Sequence, residues 1–470
     1  MPSIVLPVLL FLCGLIQLCE RAAASTYELQ PDIVYDVVTE RDGDGVQRTV
    51  SLMLDFYRPV SAAGPMPLVV YVHGGCFVTG TKSGVPSFIR GLTGSGIAVA
   101  SVEYRMARDP RKPAAGQQHW PYPAALKDVQ QAVRFLRQNK DRFGLDPSRI
   151  AVHGESTGGY FAAALGVLPL TDRAGRTDAY SVRVGTVSDW YGRTDFTLPK
   201  SPNGWPCHEF WLAKPLDEQS RPAFEQAGII PHVDGASARR FLIIHGNLDP
   251  QVDIVHSTSL WNRLRAAGIP AVMYVNEGRG HQFNNDLAAQ AVTRRFLLEA
   301  LRPFGQQPVL SRLRIDSGRL ETQGAAPIPA GWQTDRHANP NAPGRTTVAG
   351  GCLAQPIANA APSLAQIYRD IRFGKAFGYR IPVTNGAYRV RLHFAECRYT
   401  KIGQRRFDVG LFGVRLLRGY DTLRSTRGRV ATADIRELHA IVSNGRLDLD
   451  FATTNNADAY VSAVQLERLF

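Results

Sequence analysis

The chain has 470 residues, of which 44% are apolar and 20% charged, and its net charge is +13. This apolar fraction with moderate charge excludes a disordered chain, and the absence of a Gly-X-Y period excludes a collagen. At roughly 100–200 residues per domain the length suggests two or three domains, large enough to bury their cores without metals or disulfides.

The chain begins with an apolar stretch, Ile4 to Leu18, interrupted by Pro7, Gly14 and Gln17 and followed by Ala22-Ala23-Ala24 before Ser25. This reads as a cleavable leader over residues 1–24 and is too short and broken for a comfortable membrane span. No Lys or Arg precedes the apolar run, so an uncleaved anchor is the other reading. Beyond the leader there are four Cys, Cys76, Cys207, Cys352 and Cys397, and export permits disulfides. Of the three pairings, Cys76–Cys207 with Cys352–Cys397 keeps each bridge within one half of the chain; the other two, and four free thiols, are open. No C-x-x-C or H-E-x-x-H spacing supports a zinc site.

From Leu68 to about Leu301 strand-like and helix-like segments alternate. Leu68–Val72, Ile97–Val102, Arg149–His153, Val182–Val187, Phe241–Ile244 and Val272–Val275 are short β-rich runs. Between them, Ala124–Asn139 repeats Leu126, Val129, Val133 and Leu136 at helical spacing. Continuous apolar strands joined by helices imply a mainly parallel sheet covered on both faces, with its chemistry beyond the carboxyl ends of the strands.

Four features fall at those ends. Gly154-Glu-Ser-Thr-Gly158 follows one strand and precedes a small-residue helix, Gly159–Leu168, the pattern of a nucleophile elbow presenting Ser156 at a helix N-terminus. His73-Gly74-Gly75-Cys76 follows an earlier strand; its backbone N–H groups, with that of Thr157, are candidates for an oxyanion hole. Asp249, in His245-Gly-Asn-Leu-Asp249, is the candidate acid, with Asp253 as the fallback, and His281, in Gly278-Arg-Gly-His281, the candidate base. The order Ser, Asp, His is the one expected in this topology. His153 and His245, at strand ends before glycines, read as structural. Trp190, Tyr191, Trp205 and Trp211 lie in an aromatic-rich segment expected to form a cap or acyl pocket, where they would stack on a sugar or phenolic acid or bury one another.

These motifs, together with Val102-Glu-Tyr-Arg105, Tyr122-Pro-Ala-Ala-Leu-Lys-Asp128 and Asp146-Pro-Ser-Arg-Ile150, resemble the α/β-hydrolase superfamily in its esterase/lipase branch, closest to feruloyl- and acetyl-esterase-like members acting on plant polysaccharides. Glu155-Ser156-Thr157 stands where Asp-Ser-Ala is more familiar. The resemblance implies an α/β catalytic domain over residues 25–302 and acyl transfer at Ser156 that requires no metal or organic cofactor.

Residues 303–308 read as a linker, after which helix signals stop. Tyr388–Phe394, Phe407–Leu411, Leu447–Phe451 and Val461–Leu466 alternate with period two, and Asn385-Gly386 and Asn444-Gly445 mark turns, implying an antiparallel β-sandwich over 309–470. Residues 308–470 hold 23 basic and 13 acidic residues, a balance suited either to an acidic polymer or simply to solubility. Arg314-Ile-Asp-Ser-Gly318, Ile367–Phe373, Asn385–Glu396, Gly403–Val409 and Val461-Ser-Ala-Val are similar to malectin and malectin-like carbohydrate-binding modules. That resemblance places sugar contacts at Phe373, Arg398, Tyr399 and Asp458, with Arg398 in place of an expected aromatic. The expected partner is a polysaccharide or oligosaccharide ester, with neither nucleic acid nor stable membrane association after leader removal, and the expected location is secreted or periplasmic. A non-catalytic binding protein on a hydrolase scaffold and a serine peptidase are the rival readings. The intact Ser156, Asp249 and His281 argue against the first, and the lack of a propeller-length N-terminal domain against the second.

Overall fold

The computed structural model describes residues 25–62, 64–111, 118–301, 352, 356–360, 362–368 and 371–469, together with strands at 311–316 and 332–333. The expected leader and the linker at 303–308 lie outside the described residues.

The first part opens with a long antiparallel hairpin, β1 (Tyr27–Arg41) and β2 (Gln47–Pro59), for which the sequence carried no strong signal. Then follow β3 (Met66–Val72), β4 (Ala98–Val102), β5 (Leu145–Glu155), β6 (Thr186–Trp190), β7 (Arg240–Gly246) and β8 (Ala271–Asn276). They lie in the order β1-β2-β4-β3-β5-β6-β7-β8 and are parallel from β4 onward. Helices α1 (Ala124–Gln138), α2 (Thr157–Val167) and α3 (Val255–Ala266) pack on the face that carries Leu68, Val70 and Val72. Helix α4 (Leu287–Leu301) covers the other face through Leu297 and Leu301 against Val69, Tyr71 and Ala151. Leu126, Val129, Val133 and Leu136 are buried, as their spacing predicts.

Val182 does not begin a strand. Arg137, at the end of α1, donates to the carbonyls of Tyr180 and Val182, which takes them out of any ladder, and Val182 is exposed. The strand starts at Thr186 and runs on to Trp190.

The second part contains β9 (Ser311–Asp316), β10 (Trp332–Gln333), β11 (Arg372–Gly374), β12 (Ala376–Pro382), β13 (Gly386–Ala395), β14 (Phe407–Leu411), β15 (Val414–Tyr420), β16 (Ala433–Val442), β17 (Arg446–Thr453), β18 (Ala459–Val461) and β19 (Ala463–Arg468). Strands β16-β13-β19-β9 form one antiparallel layer and β12-β17-β14-β15 the other. Val390, Leu392 and Phe394 of the first layer join Phe377, Tyr379, Phe407 and Phe451 of the second in a common core. The predicted run Val461–Leu466 is broken at Ser462, because β18 pairs with β11 whereas β19 pairs with β13.

The two parts share one sheet. β16 pairs in parallel with β8, placing His439 opposite Tyr274, Ala440 opposite Val275 and Ile441 opposite Asn276. A 13-stranded sheet results, and what would be an exposed edge at β8 is covered. Because β16 runs with β8, its carboxyl end, the turn at 443–445 and the hairpin tip between β14 and β15 all lie at the carboxyl rim of the parallel strands.

Candidate active site

The turn from β5 into α2 places Ser156 at φ 56° and ψ −118°, a region non-glycine residues seldom occupy. It is held there by its N–H donating to the Trp190 carbonyl (2.9 Å) and by the close approach of strand and helix. A Cβ at Gly154 would lie 2.1 Å from the Gly158 carbonyl oxygen, and one at Gly158 would lie 2.0 Å from that of Val72, so this crossing excludes any side chain.

The Ser156 Oγ lies 3.0 Å from Nε2 of His281, and Nδ1 of His281 lies 2.7 Å from Oδ2 of Asp249. A carboxylate accepts from Nδ1–H, which leaves Nε2 free to take the serine proton. Asp249 is fixed in turn by the N–H groups of Gln251 (2.8 Å) and Val252 (3.0 Å). Burial alone would raise its pKa, but the hydrogen bonds from His245 and His281 outweigh burial and hold the carboxyl well below the usual carboxylate range. Asp253, the fallback acid, is exposed and accepts from the Val255 N–H instead.

His245 and His153 are fully buried and structural. His245 joins Ser257, Val252 and Asp249, while His153 meets Ser188 and burial pushes its pKa down to about 3.

Gly74 lies beside Ser156: a Cβ there would lie 2.8 Å from the Glu155 carbonyl oxygen and 3.3 Å from the Ser156 Cβ. Gly75 (φ 126°), Cys76 (φ 58°) and Phe77 (φ 61°) curl the loop so that the Gly75 carbonyl accepts from Val78 and Thr79. The N–H groups of Gly74, Gly75 and Cys76 make no hydrogen bond to described residues, and that of Thr157, at the first turn of α2, has no acceptor within the helix. Disulfide Cys76–Cys207, with its Cα atoms 4.9 Å apart, ties this loop to the aromatic-rich segment; Cys352–Cys397 closes the second half.

The aromatic segment corrects one expectation. Trp190, Tyr191 and Trp211 are fully buried and present no face to a ligand. Trp190 donates to Thr293 Oγ1 and stacks on Phe88, whereas Trp211 stacks on Phe77 at 4.2 Å. Of the four, only Trp205 is exposed, under the guanidinium of Arg111. Aromatic composition alone did not separate a packed loop from a stacking platform.

Tyr191 has a different place, which the sequence did not reveal. Its ring lies 4.7 Å from that of His281, and its hydroxyl donates to Glu155 Oε2 (2.9 Å). The other oxygen of Glu155 accepts from Tyr71 (2.8 Å). The buried carboxyl group beside Ser156 is thus satisfied by two phenols, and it anchors the ring that lies against the His281 imidazole.

Asp189, at the end of β6, is fully buried, and its Oδ1 accepts from the Gly192 N–H. Burial raises its pKa to about 6, against the opposing pull of that hydrogen bond and of His245. Folding therefore favours its protonated form, a contribution fully present below the unfolded value of about 4 and lost as pH rises through about 6. Asp189→Asn is expected to match the parent's stability near pH 4 and to exceed it at pH 8 by up to about 3 kcal/mol, as read by urea unfolding at the two pH values.

In the second half, Phe373 pairs with Tyr460 across β11 and β18, and Asp458 lies 3.6 Å from Lys375. Arg398 and Tyr399 follow β13, their N–H groups held by Glu396. Arg405 lies over both Tyr399 and Tyr460, bringing these loops together at one end of the sandwich. That end is remote from Ser156. It lies beyond Ala395 and Ala433, at the opposite edge from Val442, nine ladder positions or about 30 Å away.

Among the described residues no helix is long and apolar enough to cross a membrane. Residues 54–264 match the BD-FAE family model and residues 315–466 the Malectin domain. The chain is 30% identical to Esterase LipC of Mycobacterium tuberculosis over 230 residues, 47% of this chain and 54% of that protein. It is 31% identical to Carboxylesterase NlhH of the same species over 149 residues, 32% of this chain and 44% of that protein. The chain thus spans about half the length of the curated relatives it matches. Among solved structures it is similar to a truncated form of a carbohydrate esterase from gut microbiota (25% identity, TM-score 0.48, covering 59% of this chain and 98% of that one). It is also similar to a bifunctional GH43-CE protein of Bacteroides eggerthii (24% identity, TM-score 0.46, covering 58% and 38%). The chain thus carries a BD-FAE domain, of the α/β-hydrolase esterase kind, over residues 54–264 and a Malectin domain over residues 315–466.

Proposed function

We propose that the protein is a secreted or periplasmic serine carbohydrate esterase, removing acetyl or feruloyl groups from plant-type polysaccharide. The observation that carries this reading is the hydrogen-bonded line Ser156–His281–Asp249 on a strained elbow beside Gly74. The esterase names of the relatives support ester cleavage, the Malectin domain supports a glycan partner, and the two disulfides suit an oxidising compartment.

In the proposed reaction, His281 takes the Ser156 proton as Oγ attacks the ester carbonyl, and Asp249 steadies the imidazolium. The N–H groups of Gly75, Cys76 and Thr157 hold the oxyanion; one such donor is worth on the order of 3 kcal/mol. His281 then protonates the leaving sugar hydroxyl, and water, deprotonated by the same imidazole, releases the acid from the acyl-enzyme.

The test is release of acetate and ferulate from acetylated and feruloylated xylan, beside p-nitrophenyl acetate and a peptide p-nitroanilide. Release of either acid from xylan is expected. Cleavage of the anilide alone would replace this reading with a peptidase.

A further inference from the structure

A cleft of about 470 Å³ opens between the two domains at the carboxyl rim of the sheet. One wall is the connection from β7 to α3, through Asn247, Leu248 and Asp253, and this is the same connection that carries Asp249. The other wall is the tip of the β14–β15 hairpin, through Phe412, Arg415 and Arg418. Its size lies within the range of about 300–1,000 Å³ usual for ligand sites.

The two walls are bound together. Asn247 Nδ2 donates to the Phe412 carbonyl (3.2 Å), and Asn247 Oδ1 accepts from Gly278 N–H (2.7 Å), three residues before His281. Leu248 is 63% exposed, and Phe412 is held at φ 52°, a conformation bulky residues seldom adopt. Leu248, with the partly buried Ile254 and Phe412 beside it in the lining, gives the cleft a small apolar surface such as the face of a sugar ring covers.

Its charge is arranged on one side. Arg418 is exposed and makes no ion pair with described residues; Arg415, 68% exposed, reaches Asp408 only at 3.4 Å. Opposite them Asp253 is the one acid of the lining, and its Oδ1 is engaged by the Val255 N–H. Two exposed guanidinium groups beside an apolar floor suit a carboxylate on a sugar ring, which each guanidinium can bind with two parallel N–H donors. The surplus of basic over acidic residues in 308–470 favours the same ligand.

We propose that this cleft is a subsite for a uronic-acid residue of the glycan whose ester is held at Ser156. The inference rests on the esterase reading and adds the substrate class. It also gives the Malectin domain a contact at the catalytic rim, distinct from Phe373, Arg398, Tyr399 and Asp458 at its far end.

The test compares the full-length parent with an Arg415→Gln/Arg418→Gln double variant. Acetate release is measured on acetylated glucuronoxylan and on uronate-free acetylated glucomannan, each divided by the same protein's kcat/KM on p-nitrophenyl acetate. For glucuronoxylan the quotient is expected to fall about fivefold in the variant, almost wholly through KM, with little change for glucomannan. About 0.5 M sodium chloride should lower the parent's quotient in the same way. An unchanged quotient, or an equal fall on both glycans, overturns the proposal. Binding of the Ser156→Ala chain to glucuronoxylan in affinity electrophoresis, weakened by the double substitution, reads the cleft without any turnover. Loss of esterase activity in the parent would thus overturn the reaction while leaving the subsite testable by this binding.

Discussion

Replacing Ser156 by Ala is expected to lower kcat on p-nitrophenyl acetate by about ten-thousandfold or more, with KM and the thermal midpoint nearly unchanged. The size follows from what is removed. Oγ is the atom that would bond to the acyl carbon, and nothing else within the hydrogen-bonded line can take its place. A loss of this size is about 5.5 kcal/mol of transition-state stabilisation. Stability should hold because Ala meets the same strained backbone at φ 56° and keeps the N–H bond to the Trp190 carbonyl. Asp249→Asn tests the same line differently: an amide in place of the carboxylate favours the wrong imidazole tautomer, and a comparable fall in kcat is expected. Steady-state kinetics and a melting curve on each variant decide both.

Ending the chain after Leu301 is expected to lower the thermal midpoint by about 10 °C and turnover of the small ester by tenfold or more. The cut removes β16 from the edge of β8, together with Ala387, Ile441 and Leu469 from the core they share with Leu242, Ile244 and Tyr274. Lost burial of this kind costs roughly 3–5 kcal/mol, and the unpaired edge invites association. Turnover should suffer because the loops that carry His281 and Asp249 are both braced from the second domain. Glu277, four residues before His281, accepts from Ser443 and Asn444, and Asn247, two before Asp249, donates to Phe412. Calorimetry should show one transition for the full chain; a truncated chain with the parent's midpoint and turnover would contradict the shared sheet.

Ser156, Asp249 and His281 were legible in the sequence because each follows its own apolar strand and the parallel-sheet rule brings strand ends to one rim. Each signal is local, and a fold-level rule assembles them. The ladder between β8 and β16 had no such signature: its partners are 165 residues apart, and no strand was read at Ala433–Val442. The same limit explains Trp190, Tyr191 and Trp211, whose composition suits a sugar platform until the packing of Phe77 and Phe88 is known. Glu155 was visible as an unusual neighbour of Ser156, but its two phenol partners come from 84 and 36 residues away. The malectin-type motifs named Phe373, Arg398, Tyr399 and Asp458 as sugar contacts, but gave no distance from Ser156, which depends on the direction of β16 and is fixed only by the shared sheet.

The most direct measurement of the central claim is covalent labelling with a fluorophosphonate, followed by peptide mass mapping. A single adduct on the peptide carrying Ser156 is predicted, absent from Ser156→Ala and formed far more slowly in His281→Ala. No adduct on the folded chain, or one at another serine at the same rate, would contradict the account.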